Sequence, residues 1–303
     1  MTKGVAMANK KLVDLLLQDE NANVANDEFE TLSGNNWVRL LSQKPQFANK
    51  CDQWDSFRQK DWAELLRHQP QFAEKCDKWN DFYPYTWAHI IRFQPQFANR
   101  CDQWDEFDGN DWIHVLTAQP QFAERCNKWD ELTACHWSEL LSDQPQFFDK
   151  CDKWDEFDGS DWWSVLVSLP QIADKCNWNK LDRDDWVHLL YFAPQFANKC
   201  DKWDEFDGND WWYLLSIQPG LADKCDWSKL DGWNWRLLLE NQPKFADRFD
   251  KWDEFDSFDW RFLLAEQTQF ADECNKWAEF DEDEKEALLD AQPQLAKYFN
   301  KNN

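Results

Sequence analysis

The sequence predicts an all-α fold, an α-solenoid of eleven ~25-residue two-helix repeats with N- and C-terminal caps. Three observations predict it. A Pro, or once a Thr, recurs at 45, 70, 95, 120, 145, 170, 194, 219, 243, 268 and 293, in steps of 25 residues eight times and 24 twice. Apolar residues fall at helical spacing on both sides of each Pro. Trp is used 23 times, nearly always at two repeat positions, and the 7 Gly are too few for many hairpins.

Residues 5–18 predict an amphipathic helix with Val5, Leu12, Leu15 and Leu16 on one side, covering the open end of the first repeat. Its apolar run is short and carries Asp14, so neither a signal peptide nor a membrane span is expected. Residues 19–32 read as a polar bridge. The chain thus divides into a capping helix and linker over 1–32, repeats over 33–280, and a capping repeat over 281–303. In that last repeat Lys285 stands where the others have Trp, and Asp281, Glu282, Asp283 and Glu284 make the face polar.

Within a repeat, Asp108 is the expected N-cap of the first helix, with Asp111 closing a capping box. Asp158 with Asp161, and Asp207 with Asp210, repeat the pattern. Trp112, Val115 and Leu116 then form one helical face. Gln119 precedes Pro120 and is pushed out of the helical region, ending that helix. Pro120 suits the first turn of a second helix, with Phe122, Ala123, Cys126 and Trp129 on one face. Asp130, Glu131 and Leu132 close the repeat as a turn.

Nine of the ten Cys (51, 76, 101, 126, 151, 176, 200, 225 and 274) share one repeat position, which Phe249 and Phe299 also occupy. That reads as an apolar slot for reduced, buried thiols in a cytoplasmic protein. Stacked helices sit about 8–10 Å apart, too far for equivalent cysteines to bridge within a limit of roughly 7 Å. The period resembles that of short-unit α-solenoids such as the leucine-rich repeat variants. The residues match neither their consensus nor those of tetratricopeptide, ankyrin or HEAT repeats.

Net charge is −25, which excludes nucleic acid as a direct ligand and favours a basic protein partner. Two surfaces are candidates for that contact. One is an acidic edge of Asp105, Glu106, Asp108, Asp111, Asp155, Glu156, Asp158, Asp161, Asp204, Glu205, Asp207 and Asp210. The Lys and Arg residues recur elsewhere, at 50, 75, 100, 125, 150, 175, 199 and 224, so the charges are expected in separate stripes. Such an edge carries about 0.5 charges per Å against roughly 0.6 for duplex DNA, so an inhibitor that mimics nucleic acid is the first functional expectation.

The other surface is an apolar patch of Trp163, Tyr191, Phe192, Trp212, Tyr213 and Ile217, suited to a general interaction scaffold or to pairing with a second copy. No enzyme signature stands out. The pair Cys135–His136 is adjacent on a helix and cannot face each other, and His89, His114 and His188 read as surface variation. No cofactor or metal spacing is present.

Overall fold

The computed structural model describes residues 3–19, 22 and 24–299. Its fold is an all-α repeat solenoid; among the described residues there is no strand. The chain divides at Glu156/Phe157 into two compact units. The first holds α1 (Lys3–Gln18), α2 (Asn26–Glu30), α3 (Gly34–Gln43), α4 (Gln59–His68), α5 (Pro84–Phe93), α6 (Gly109–Leu116) and α7 (Ala134–Asp143). The second holds α8 (Gly159–Ser168), α9 (Arg183–Phe192), α10 (Gly208–Ile217), α11 (Gly232–Asn241), α12 (Ser257–Glu266), α13 (Glu282–Ala291) and α14 (Ala296–Phe299). Within each unit the long repeat helices pack each on the next.

The capping expectation holds. The Asp108 carboxylate accepts from the Asp111 amide at 3.0 Å, and the Asp111 carboxylate accepts from the Asp108 amide at 3.2 Å. The same box starts α8, α9, α10, α12 and α13. Gly follows the cap in α8 and α10 because the next repeat presses there. A Cβ on Gly159 would lie 1.8 Å from the Asp185 carboxylate, and one on Gly208 2.4 Å from the Lys229 carbonyl.

The segment after each Pro differs from the expected α-helix. It is a 3-10 helix, six residues long in most repeats, as in Pro95–Arg100 and Pro120–Arg125, and three in others, as in Pro170–Ile172 and Pro219–Leu221; in the repeats with the six-residue form it is followed by extended Cys and a second short turn opened by Trp, as in Trp104–Glu106. Tighter three-residue turns instead set residues i and i+3 in line, so Ala98 and Cys101 are buried side by side.

Neighbouring repeats are joined by aromatic stacking. Trp104, at the end of one repeat, lies 5.5 Å from Trp112 in the next helix with 27° between planes, and 5.4 Å from Phe122 beyond it. Trp178–Trp186 and Trp203–Trp211 repeat the stack at 5.5 and 5.6 Å. Where Lys285 replaces the helical Trp, Trp277 stacks on Tyr298 instead, at 4.8 Å. Phe249, in the Cys slot, is buried against Trp235 and Trp252.

A polar ladder accompanies the stack. The Gln before Pro, or before Thr268, donates to a carbonyl at the end of the preceding helix: Gln94 to Arg67, Gln119 to Arg92, Gln144 to Thr117, Gln218 to Tyr191, Gln267 to Glu240. The Gln after Pro then donates back to the first, as Gln121 does to Gln119 at 2.8 Å. The Gln-Pro-Gln motif is therefore an inter-repeat clamp, absent in kind where Leu169 and Ala193 stand in its first place.

Two expectations at the N-terminus are corrected. In α1 it is Val13, with Leu12 and Leu16, that is buried; Leu15 is 47% exposed, and the Val5 side chain lies outside the described residues. The 19–32 stretch is not merely a polar bridge. It contains α2, and Phe29 and Leu32 are buried, Phe29 stacking on Trp37 at 5.9 Å. The terminal helix α1 packs on α3, where Arg39 pairs with Asp14 at 2.6 Å.

The indole N–H groups of Trp37, Trp62, Trp87, Trp112, Trp137, Trp186 and Trp211 are buried with no hydrogen-bond acceptor. Trp112→Phe keeps a ring in the stack and deletes an unsatisfied donor. It is expected to cost less than half of the ~3–5 kcal/mol of Trp112→Ala, measured by urea denaturation. Equal losses would show that the indole itself is required.

The thiols predict a pH dependence. Burial pushes Cys51, Cys101, Cys126 and Cys200 from 9.0 up to about 11, and Cys76, Cys176, Cys225 and Cys274 up to about 12. The unfolded chain releases these protons first, so the stability is present well below pH 9, begins to fall as pH approaches 9, and is lost through pH 11 to 12. Each thiol removes up to about 1.4 kcal/mol per pH unit in that window. Denaturation midpoints at pH 8, 9 and 10 should drop progressively, and a flat profile would contradict thiol burial.

Candidate functional site

The structure assigns most of the acidic edge to the repeat frame. Asp108, Asp158 and Asp207 cap helices, and Asp111, Asp161 and Asp210 complete their boxes. Asp161 and Asp210 are buried, and Asp210 and Asp207 are both held by Arg183, at 2.6 and 2.9 Å. Glu156 and Glu205 pair with Lys153 and Lys202 three residues earlier, at 3.3 and 2.9 Å. Asp105 accepts from Asn127 at 3.0 Å, and Glu106, Asp155 and Asp204 are exposed. The lysine three residues before Glu156 and Glu205 was visible in the sequence and signals this neutralisation; Glu106 has Gln103 there instead.

The basic row, Lys50, Lys75, Arg100, Arg125, Lys150, Lys175, Lys199 and Lys224, is exposed, and part of it also covers the stack. Arg100, Arg125, Lys150 and Arg248 lie over the rings of Trp79, Trp104, Trp129 and Trp227 at 4.9–5.0 Å. These four side chains are lids on the inter-repeat stack, held by cation–π attraction.

Histidines 89 and 114 are half-buried rather than simple surface variation. Their rings stack at 6.0 Å, and burial lowers the pKa of both, with Arg92 adding to the effect at His114. Small Ala63 and Ala88 beside them leave an open groove of about 490 Å³ across α4, α5 and α6. His188 is exposed and stacks on Trp163 at 5.2 Å. His136 belongs to the α7 capping box with Thr133, while Cys135 points outward, so the pair forms no nucleophile–base couple.

The apolar patch is where exposed aromatic surface accumulates. Along each helix, Trp and two Leu-type residues face the core, which leaves the second, sixth, ninth and tenth positions outward; the fifth is buried in most repeats and half-buried at Trp163 and Trp212. In α8 to α11 those positions link one helix to the next. Trp163 stacks on His188, Tyr191 on Tyr213 at 4.6 Å, and Trp212 meets Trp233 edge-on at 5.9 Å. Phe192 is 57% exposed, Ile217 52% and Tyr213 37%; Trp163, Tyr191 and Trp212 are half-buried.

Sequence reading missed the extension of this face. Trp233, Phe258 and Phe262 are exposed on α11 and α12, with Arg261 over Phe262 at 4.3 Å. The available signal was an aromatic at the second helix position, which is polar in most repeats. Arg236, in contrast, is buried and bonded to Glu240 at 2.5 Å and Asp259 at 3.2 Å. Among the described residues, no three His, Cys, Asp or Glu side chains converge to hold a metal ion, and no helix is long and apolar enough to cross a membrane.

No protein-family model matches this chain, and neither a curated protein nor a solved structure matches it.

If the aromatic face is surface and not frame, its substitution leaves the fold intact. Phe192→Ser and Ile217→Ser are expected to change stability by no more than about 0.5 kcal/mol. Arg236→Ala, which strands two carboxylates, should cost roughly 3 kcal/mol or more. Thermal and urea denaturation of the three variants checks this, and a large loss for Phe192→Ser or Ile217→Ser would place the patch in the core.

Proposed function

We propose that the protein is a non-enzymatic binding scaffold that takes a basic protein partner on the outer face of α8–α12. The observation carrying this reading is the exposed aromatic face, bordered by carboxylates. These five helices and their caps contain twelve Asp and Glu, three Arg and no Lys. An apolar surface ringed by one sign of charge selects an oppositely charged partner and gains its affinity at the aromatic centre. The reduced, buried thiols suit a cytoplasmic setting.

A second reading, an inhibitor mimicking nucleic acid through the turns, rests on the exposed carboxylates of Asp105, Glu106, Asp204 and Glu205. Caps and Lys–Glu pairs reduce its charge below the density that motivated it. Pairing with a second copy would bring two chains of net charge −25 together, which electrostatic repulsion opposes.

The readings separate in one experiment. Binding of a panel of Lys- and Arg-rich proteins is measured by fluorescence anisotropy at low and high salt. The scaffold reading expects Phe192→Ser/Ile217→Ser to weaken binding about tenfold at both salts. It expects Glu106→Gln/Glu205→Gln to alter mainly the salt slope. The reverse ranking would favour the mimic.

A further inference from the structure

The sixth helix position carries Glu64, His89, His114 and Glu139 on α4 to α7 in turn. At α6 this row meets an irregular backbone. The helix ends at Leu116 after eight residues, where α3, α4, α5 and α7 each have ten. The Ala118 amide bonds to the Val115 carbonyl at 3.2 Å, a three-residue step, and not to His114, its α-helical partner. The His114 carbonyl thereby loses its intrahelical donor, and Arg92 of α5 supplies another. Arg92 Nη1 donates to that carbonyl at 3.2 Å, and it lies 3.3 Å from His114 Nδ1 and 3.4 Å from the Thr117 hydroxyl.

A guanidinium has donors only. The bond to Nδ1 therefore requires that nitrogen to be unprotonated, which fixes His114 as the neutral imidazole with its proton on Nε2. Arg92 is half-buried and forms no ion pair among the described residues. A proton added to Nδ1 would set two cations 3.3 Å apart and remove the bond between them.

The surroundings offer the imidazolium one other partner. On α5, His89 stacks on His114 at 6.0 Å, and Glu64 and Arg67 of α4 act on His89. On α6 itself, Asp111 is tied into its capping box. In the Pro120–Arg125 segment, Arg125 lies over Trp104 and Glu124 is exposed. On α7, His136 bonds to Asn110, and Asp143 stands one turn beyond the sixth position. Glu139 holds that sixth position, is exposed and forms no ion pair among the described residues. We infer that Arg92, His114 and Glu139 form a proton-operated latch between neighbouring repeats. With His114 neutral, Arg92 holds the tightened end of α6 against α5. A proton taken from solvent by Nδ1 breaks that bond, the imidazolium turns to the Glu139 carboxylate, and the His114 carbonyl takes back the Ala118 amide. His89 and His114 line the groove of about 490 Å³ over α4 to α6, so its wall moves with the latch. Burial and Arg92 hold His114 below the ordinary histidine value of 6.5, so the neutral form prevails at pH 7. The unfolded chain takes the proton first, so the stability of the closed form is present above pH 6.5 and falls as pH drops below it. The latch belongs to the first unit and does not rest on the scaffold reading.

The test is an NMR titration of the nitrogen-15-labelled full chain between pH 8 and pH 4.5, reading the imidazole nitrogens and the backbone amides. At pH 8 the expected result is His114 with its proton on Nε2. Arg92→Gln keeps a donor and removes the cation, and should raise the His114 midpoint by about half a pH unit or more. Glu139→Gln removes the counter-ion of the protonated form and should lower it by roughly 0.3–0.5. The Ala118 and Glu139 amides of the unaltered chain should shift with the His114 midpoint. Glu139→Gln alters an exposed side chain, so the test stands even where Arg92→Gln fails to fold, which circular dichroism checks. A proton on Nδ1 at pH 8 overturns the latch. A midpoint unmoved by Glu139→Gln, or by a folded Arg92→Gln, does so too. Amides of Ala118 and Glu139 that stay constant while His114 titrates would reduce it to a local ionisation and overturn it equally.

Discussion

The stacking of one repeat's terminal Trp on the helical Trp of the next is the contact on which the rest depends. The terminal ring is completed by the next repeat: Trp104 meets Phe107 of its own repeat but stacks on Trp112 and Phe122 of the following one, with Arg125 as a lid. Ordering about 25 residues costs more conformational entropy than one such repeat can offset alone, so stability is a property of neighbours. The other repeat-invariant features serve that contact. Extended Cys turns the chain from the 3-10 helix toward the Trp, the Gln clamp fixes the spacing of adjacent helices, and the capping Asp starts the next helix beside it.

Because the frame occupies the inner faces and the turns, variation is confined to the outward positions of the long helices. The two units use that freedom differently. In the first, these positions carry mostly polar residues such as Arg39, Glu64, His89 and His114, with exposed aromatics confined to Tyr85 and Phe93 of α5. In the second they carry Trp, Tyr, Phe and Ile, with carboxylates at the margins. Aromatic side chains held in mutual contact on a rigid helical layer lose little entropy when a partner covers them, which is what an interaction surface requires.

Much of the fold was legible in the sequence, because it follows from short-range chemistry. The Pro spacing gives the repeat, the Asp-x-x-Asp pattern gives the caps, and Trp112, Val115 and Leu116 give a buried face. What escaped follows from contacts between repeats. The i, i+1, i+4, i+7 spacing of Phe122, Ala123, Cys126 and Trp129 fits an α-helix as well as a 3-10 helix followed by a turn. Only the pull of the neighbouring Trp decides. The role of Gln119 depends on a carbonyl 27 residues earlier, and the burial of Arg236 on Asp259, 23 residues later. For the candidate site, the apolar patch was visible in Trp163, Tyr191 and Tyr213. The acidic edge was overcounted, because a sequence displays carboxylates without displaying what they bond to.

The paired indoles have an optical consequence. Rings 5.2–5.6 Å apart and nearly parallel, as in Trp203–Trp211 and Trp227–Trp235, couple their electronic transitions. Excitation absorbed by one chromophore passes to its neighbours before it is emitted, so intrinsic fluorescence reports a whole stack and loses polarisation. The same coupling adds exciton bands to the far-ultraviolet dichroism. Helix content deduced from ellipticity will therefore misjudge this protein unless those bands are subtracted.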